Sequence, residues 1–477
     1  MMKVIHLSVE CYPVAKVGGL ADVVGALPKY QRTMGIDASV VMPWYDRPFL
    51  QNQETISVAT GTIEQGNEHF DYEILKEKNE SLGFPLYFIR IPGKLDRPEV
   101  YCYPDEAEQW IAFQHAFLDF LNKQDELPDV VHCHDHHVGL TPFLMQHGLV
   151  FRERLAEITT IFTVHNGQYQ GWIDWNKSPL LPAYDDWKWG LLEWDEVINP
   201  MAAAIKCCSA YNTVSEGYLQ ELFDDANGLQ DLFKMESGKA EGIVNGIDET
   251  VWNPETDPSL DKNYGVSTIR SGKNANKKWL GKAYGVDFSK PLIVFIGRFA
   301  FEKGADLLPA IIDEIFANTE EDFGVFILGS GDEEISAQLE ARKSRYEGRL
   351  ATFFGYNEEL SHRVYAAADL LLMPSRVEPC GLNQLYAMKY GTIPIVRNTG
   401  GLRDTVMDVA AEGGYGFVFD EAEPSDAANC TVRALDIVQD KKKLDQIRKK
   451  IMKLDYSWEH SALKYEKLYN RFVEEKL

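Results

Sequence analysis

The sequence predicts an α/β protein of two domains, each built on a doubly wound parallel sheet. Three observations carry that prediction. Short β-rich apolar runs alternate with helix-like stretches, the pattern of strand, crossover helix and strand. The alternation breaks near Gly246 and then restarts. A chain of 477 residues is also too long for one ordinary hydrophobic core.

The first half carries the runs VIHLSV (4–9), ASVVMP (38–43), LYFIRI (86–91), DVVHCH (129–134), ITTIFTVH (158–165) and CCSAYNTVS (207–215). A helix is expected between them over 107–124. The segment WNPETDPSLDKNYG, 252–265, is rich in Pro, Asp and Asn and lacks periodicity, so it reads as an interdomain crossing. The rhythm resumes with LIVFIG (292–297), GVFILG (324–329), ATFFG (351–355), DLLLMP (369–374) and TIPIV (392–396). Helix-like DLLPAIIDEIF and HRVYAAA fall between these runs. The expected organisation is two Rossmann-like domains, 1–245 and 246–457, with a further helix over 458–477. The pattern Gly-Gly-Leu-x-Asp-x-Val occurs twice, at 18–24 and 400–406, each time opening a helix-like stretch. Glycine lets backbone come close, and a helix start offers unpaired N–H groups to an anion. Two such cradles suggest two domains that share one ligand.

A hydrophobic content of 45% and a charged content of 25% are those of a soluble globular protein. The net charge of −25 disfavours a general nucleic-acid or anionic-membrane binder. No window approaches the apolar length of a membrane span. MMKVIHLSVECYPVAK, interrupted by His6, Ser8 and Glu10, reads as a buried first strand and not as a signal peptide. Seven scattered cysteines fit a reducing cytoplasm without a disulfide framework.

In doubly wound sheets the ligand sits beyond the carboxyl ends of the strands. The residues there are KVGG (16–19), HDHH (134–137), HNGQYQG (165–171), NG (245–246), GRFAFEKG (297–304), GSGD (329–332), GYN (355–357), SRVEPCG (375–381) and NTGG (398–401). Arg298 and Lys303 bring two cations to one crevice, a fixed fork and a mobile point charge for phosphate oxygens. With Gly400 and Gly401, and Lys16 beside Gly18 and Gly19, they would hold a diphosphate without metal. Glu378, fixed by the following proline, is placed to bond a sugar hydroxyl and favour positive charge at an anomeric carbon. The amides of Cys380, Gly381, Leu382 and Asn383 open a helix and would meet sugar or phosphate oxygens. The run HCHDHH, 132–137, invites a metal reading, since His132 and His134 point the same way on a strand. Its Asp135 falls one place early for a His-x-His-x-Asp-His signature, and residues lining a polar crevice are the stronger reading. No P-loop and no Gly-x-Gly-x-x-Gly after the first strand is present.

Taken in order, KVGGLADVVGALP, HDHHVG, TVHNGQYQG, VNGID, GRFAFEKG, GYN, SRVEPCGLNQLYAMKYG and NTGGLRDTV resemble bacterial glycogen and plant starch synthases, from about residue 3 to Trp458. Those are retaining glycosyltransferases with two Rossmann-like domains facing a central cleft, the GT-B plan. The resemblance implies glucose transfer from a nucleotide diphosphate donor, ADP-glucose in preference, to the non-reducing end of an α-1,4-glucan. It implies no metal or other cofactor. In this chain it would place Lys16 on the donor diphosphate or sugar, Asn245 on the donor glucose and Tyr356 against the base. Asp135 and His165 would line the sugar and acceptor side, and helix 458–477 would pack back on the N-terminal domain. Closure of the two lobes would exclude water. Three positions depart from the family pattern: His136 replaces an aromatic, Asn383 a common threonine, and Gly167-Gln168 the usual apolar pair before acceptor-side Tyr169.

Rival expectations remain open at this level. UDP-glucose would serve the same site. HCHDHH would support a metal-dependent hydrolase, a pyridoxal phosphate on lysine would mark a glucan phosphorylase, and a silent nucleotide-sugar sensor would bind without transfer. Oligomeric state is not readable from the sequence.

Overall fold

A computed structural model describes residues 1–287 and 289–474. The chain divides into two compact units, Met1–Gly246 with Trp458–Leu477, and Ile247–Ser457. Unit 1 holds β1 (Lys3–Leu7), β2 (Asp37–Pro43), β3 (Thr55–Gln65), β4 (Glu68–Glu77), β5 (Leu86–Arg90), β6 (Val130–His134) and β7 (Thr159–Val164). A short hairpin follows, β8 (Glu193–Trp194) and β9 (Val197–Ile198), then β10 (Ala210–Thr213) and β11 (Ala240–Gly242). Nine of these strands form one sheet in the order β11-β10-β7-β6-β1-β2-β5-β4-β3. Pairing is parallel except where β4 meets β3 and β5. The strand order reverses about β1, so its carboxyl end and that of β6 flank a topological switch point. Both β6 and β7 are buried along their whole length, as a sheet covered on both faces requires.

Helix Gly19–Thr33 buries Leu20, Val23, Val24, Leu27, Tyr30 and Gln31, the spacing of one helical face. Helix Trp458–Glu474 buries Trp458, Ala462, Tyr465, Leu468, Tyr469 and Phe472 on the same logic. The two faces pack together with Val4, Val130, Ile161 and Ala210 of the sheet. The C-terminal helix therefore belongs to unit 1, and residues 475–477 of its expected span lie outside the described residues.

Unit 2 holds β12 (Leu292–Phe299), β13 (Gly324–Gly331), β14 (Leu350–Phe354), β15 (Leu370–Met373), β16 (Ile393–Arg397) and β17 (Phe417–Phe419). Their order is β14-β13-β12-β15-β16-β17, every pairing parallel, with the switch point between β12 and β15. Alternation along β12 sends Ile293 and Phe295 to one core and Leu292 and Val294 to the other. No helix among the described residues is long and apolar enough to cross a membrane.

The structure corrects three expectations. Segment 252–265 is not a crossing but part of unit 2, where Leu260 and Tyr264 enter the core and Asp257 accepts from Tyr390 Oη at 2.5 Å. The chain leaves unit 1 after Gly246, one residue beyond the expected boundary, because Ile247 N donates to Tyr456 O at 2.8 Å inside unit 2. The run 207–215 is also not strand throughout, since Cys207 ends helix Pro200–Cys207 and β10 begins at Ala210.

Asp369, at the start of β15, is the buried charge on which unit 2 closes. Its carboxylate takes Lys277 Nζ, Arg448 Nη2 and the Leu292 backbone N–H, the last at 2.7 Å. Burial alone would raise its pKa, but the two cations outweigh that and hold it down at about 2. This contribution is present above the ordinary carboxylate value of 3.8 and is lost as pH falls towards 2. Asp369→Ala leaves two buried cations uncompensated, and unit 2 should lose about 3–5 kcal/mol in urea unfolding. A loss under about 1 kcal/mol would show that water already reaches the pair.

Candidate active site

The turns after β12, β15 and β16 converge at the switch point of unit 2. Lys303 Nζ donates to Glu378 Oε1 at 2.6 Å, and Ser375 Oγ to Glu378 Oε2 at 2.9 Å. Glu378 is 6% exposed, and both carboxylate oxygens are engaged. Its backbone carbonyl accepts from Gly401 N at 3.0 Å, which ties the Gly-Gly turn to the same segment. Glu302 O accepts from Arg376 N and Val377 N at 2.8 and 3.1 Å, joining the 298–303 turn to the 375–378 turn. Gly304, at φ +64°, lies against Pro374, and Gly401 lies against Cys380, with no room for a β-carbon at either.

Around this centre the other expected residues take different places. Arg298 is 64% exposed and pairs with Glu302 at 2.8 Å, not with Glu378. Leu382 precedes helix Asn383–Lys389, and Asn383 Nδ2 donates to Ile296 O at 2.7 Å, so this departure ties the helix to β12. Cys380 is buried and Gly381 is left-handed at φ +73°. Gly400 and Gly401 open helix Gly400–Thr405 directly after β16. Tyr356 is 73% exposed, with Oη on Glu358 at 2.7 Å.

In unit 1 the Gly18-Gly19 turn is built differently. Eleven residues separate β1 from helix Gly19–Thr33, and a buried carboxylate organises them. Glu10 Oε2 accepts from Val17 N and Gly18 N at 2.6 and 3.0 Å, and Oε1 from Tyr101 Oη at 2.5 Å. Burial raises the Glu10 pKa, against those three hydrogen bonds. Sequence reasoning missed Glu10, whose only signal was a charge breaking the first apolar run. Lys16 Nζ is held by Asp22 at 2.7 Å.

The HCHDHH run splits into three environments. His132 and His134 point into the interior. Asp135 sits at φ +61°, a strained backbone for a non-glycine residue, and its Oδ1 accepts from His165 N at 2.8 Å. Burial pushes the Asp135 carboxyl up to about 7. His136 and His137 rings lie 3.8 Å apart, and His137 stacks on Tyr101 at 5.0 Å, which links this run to Glu10 and the 16–19 loop. His136 also lies under Gly171, where a β-carbon would come within 2.5 Å of the ring. That departure is thus matched by the Tyr-Gln-Gly turn opposite it. Tyr169 is 59% exposed, and Asn245, three residues beyond β11, keeps a buried Oδ1 without a partner among the described residues.

The ligand atoms of His6, His132 and His134 lie within 4.8 Å of one another, a spacing compatible with a metal ion. All six ring nitrogens nevertheless have hydrogen-bond partners: each other, His165, Gln31, Tyr469 and Thr163. Ligation would have to break that set.

Residues 3–235 match the family described as starch synthase catalytic domain, and residues 281–453 match glycosyl transferases group 1. Together with the two units built on doubly wound sheets, these matches define a retaining glycosyltransferase of the GT-B class. The chain is 46% identical to a glycogen synthase of Flavobacterium johnsoniae over 475 residues, all of each chain. It is 35% identical to a glycogen synthase of Geobacillus thermodenitrificans, covering 99% of this chain and 98% of that one. Its fold matches the catalytic domain of starch synthase IV from Arabidopsis thaliana, bound to ADP and acarbose, with a TM-score of 0.89 and 30% identity over 99% of each. The chain belongs to the glycogen and starch synthase family.

The raised Asp135 pKa has a testable sign. A proton retained by the folded state between 3.8 and about 7 means that stability falls as pH rises through that window. Asp135→Asn should flatten this part of the stability profile and remove an inflection near pH 7 from the pH dependence of catalysis. An unchanged inflection in the variant assigns it to another group.

Proposed function

We propose that this chain transfers glucose from ADP-glucose to the non-reducing end of an α-1,4-glucan with retention of configuration. The observation that carries the proposal is the Lys303–Glu378 pair at the switch point of unit 2, between two glycine contacts, in a chain so similar to glycogen synthases along its whole length. The ADP bound by the Arabidopsis relative supports a nucleoside diphosphate as part of this chain's donor. On binding, the diphosphate would compete with Glu378 for Lys303 and draw in the exposed Arg298. Glu378, released on one oxygen, would take a hydroxyl of the glucose ring. The orphaned Asn245 Oδ1 is an acceptor suited to another glucose hydroxyl.

The chemistry then follows from charge. The glucose C1–oxygen bond to the diphosphate breaks, and the leaving group gains negative charge that Lys303 and Arg298 stabilise. The acceptor hydroxyl at the glucan's non-reducing end forms the new bond to C1 on the same face. Its proton passes to the departing phosphate oxygen, so no second carboxylate is needed. Lys16, with Gly18 and Gly19, is assigned to the donor as well, and Cys380 to Asn383 offer amides to it. Asp135, His165 and Tyr169 are assigned to the acceptor and sugar side. The described cysteines are all free, in keeping with a cytoplasmic enzyme.

Initial rates of glucose transfer to glycogen from ADP-glucose and UDP-glucose, with and without EDTA, test this. EDTA-resistant transfer that is faster from ADP-glucose is expected. Faster transfer from UDP-glucose would reassign the donor. Lys303→Ala should lower kcat by about a hundredfold or more while the fold survives, the usual cost of removing one transition-state contact. Native turnover in that variant would remove the diphosphate clamp from the mechanism.

A further inference from the structure

Four histidines from adjacent strands of unit 1 lie on one continuous hydrogen-bonded line that ends on the C-terminal helix. His165 Nε2 meets His134 Nδ1 at 3.1 Å, and His134 Nε2 meets His6 Nδ1 at 3.0 Å. His6 Nε2 meets Gln31 Oε1 at 2.7 Å, and Gln31 Nε2 donates to Tyr469 Oη at 3.0 Å. Tyr469 Oη meets His132 Nδ1 at 2.7 Å, His132 Nε2 meets Thr163 Oγ1 at 2.6 Å, and Thr163 Oγ1 donates to Asn212 Oδ1 at 2.7 Å. Asn212 Nδ2 donates to Tyr465 Oη at 3.2 Å and to the Thr213 carbonyl at 3.5 Å. Every member except His165 is fully buried.

One backbone group sets the direction of the whole line. The Thr213 carbonyl only accepts, so Asn212 turns Nδ2 towards it and Oδ1 towards Thr163. The Thr163 hydroxyl spends its proton there and must accept from His132 Nε2–H. His132 Nδ1 is then an acceptor, filled by the Tyr469 hydroxyl. Tyr469 in turn accepts from Gln31, whose Oε1 accepts from His6 Nε2–H. His6 Nδ1 accepts from His134 Nε2–H, and His134 Nδ1 from His165 Nε2–H. Reversing one link requires reversing all of them. A dry interior also keeps each ring uncharged: burial holds His6 at about 4 and His165 at about 3, and pushes His132 and His134 well down.

We propose that Tyr469, Gln31, His6 and His134 are positioning residues that hold His165 in a single neutral tautomer, with Nε2–H inward and Nδ1 a permanent acceptor for a sugar hydroxyl. The hydroxyl at Nδ1 rests on the sugar-side role proposed for His165 above; the tautomer itself does not. The C-terminal helix thereby acts on the site through a hydrogen-bond chain as well as through packing.

Ring nitrogen shifts of the full chain labelled with 15N-histidine report the tautomers directly. His6, His132, His134 and His165 are each expected as pure Nε2–H forms between pH 6 and 8. An Nδ1–H form or a mixture at His6, His134 or His165 in the native protein would overturn the proposal. So would stoichiometric zinc in the purified chain, because ligation takes nitrogens that the line uses. Tyr469→Phe and, independently, Gln31→Met should mix the tautomers of His6, His134 and His165. Both should lower kcat about three- to tenfold with donor KM unchanged, the factor that one net hydrogen bond converts to. Mixed tautomers with native kcat in a folded variant would refute positioning. His165→Ala separates the two layers. Native transfer in that variant would sink the sugar-side role of His165 and with it the positioning, while single tautomers in the native protein would still stand.

Discussion

Unit 2 depends on two places where backbone meets backbone too closely for a side chain. A β-carbon on Gly304 would lie 2.0 Å from the Pro374 carbonyl oxygen, and one on Gly401 2.1 Å from that of Cys380. Because those atoms touch, the turns after β12, β15 and β16 are one solid piece. Lys303, Ser375 and Glu378 meet within hydrogen-bond distance as a consequence, although 75 residues separate the lysine from the glutamate. The six-stranded parallel sheet supplies the geometry, since its strand order reverses between β12 and β15 and leaves the crevice there open.

Unit 1 solves the same problem by other means. Its Gly-Gly turn lies eleven residues beyond the strand, too far for the sheet to hold, and the buried carboxylate of Glu10 gathers the loop through backbone N–H groups. A carboxylate in that position is costly unless fully bonded, and the Tyr101 hydroxyl completes the set. Tyr101 stacks on His137, so the 16–19 loop and the strand end at Asp135 are mechanically connected. The two copies of Gly-Gly-Leu-x-Asp-x-Val thus share a helix start and little else. One follows its strand directly and the other is suspended from a side chain.

The sheets were readable because parallel strands buried on both faces leave unbroken apolar runs, as in VVHCH and LLLM. The hairpin β3–β4 went unread for the converse reason. Its segment TISVATGTIEQGNEHFDYEILKE alternates polar and apolar residues on a half-exposed edge and never forms such a run. Segment 252–265 has the composition of a linker, yet Asp257 is buried against Tyr390 and His362, partners more than 100 residues away. Composition reports what a segment tolerates and is blind to a distant partner. His6 was read only as a polar break in the first strand run, because only pairing of β1 with β6 brings it beside His132.

The sequence by itself determined the two-domain α/β plan, the family, and the residue types at the strand ends. Those follow from local periodicity and from motifs whose spacing is short. Only the tertiary structure decided which of those residues meet. It paired Lys303 with Glu378 and left Arg298 on Glu302, gave Glu10 its loop, and drew four histidines into one directed line. The physical reason is that hydrogen bonds and ion pairs of this kind depend on tenths of an ångström between residues distant in the chain. Sheet order and backbone contact set those distances, and neither is written in any local stretch of sequence.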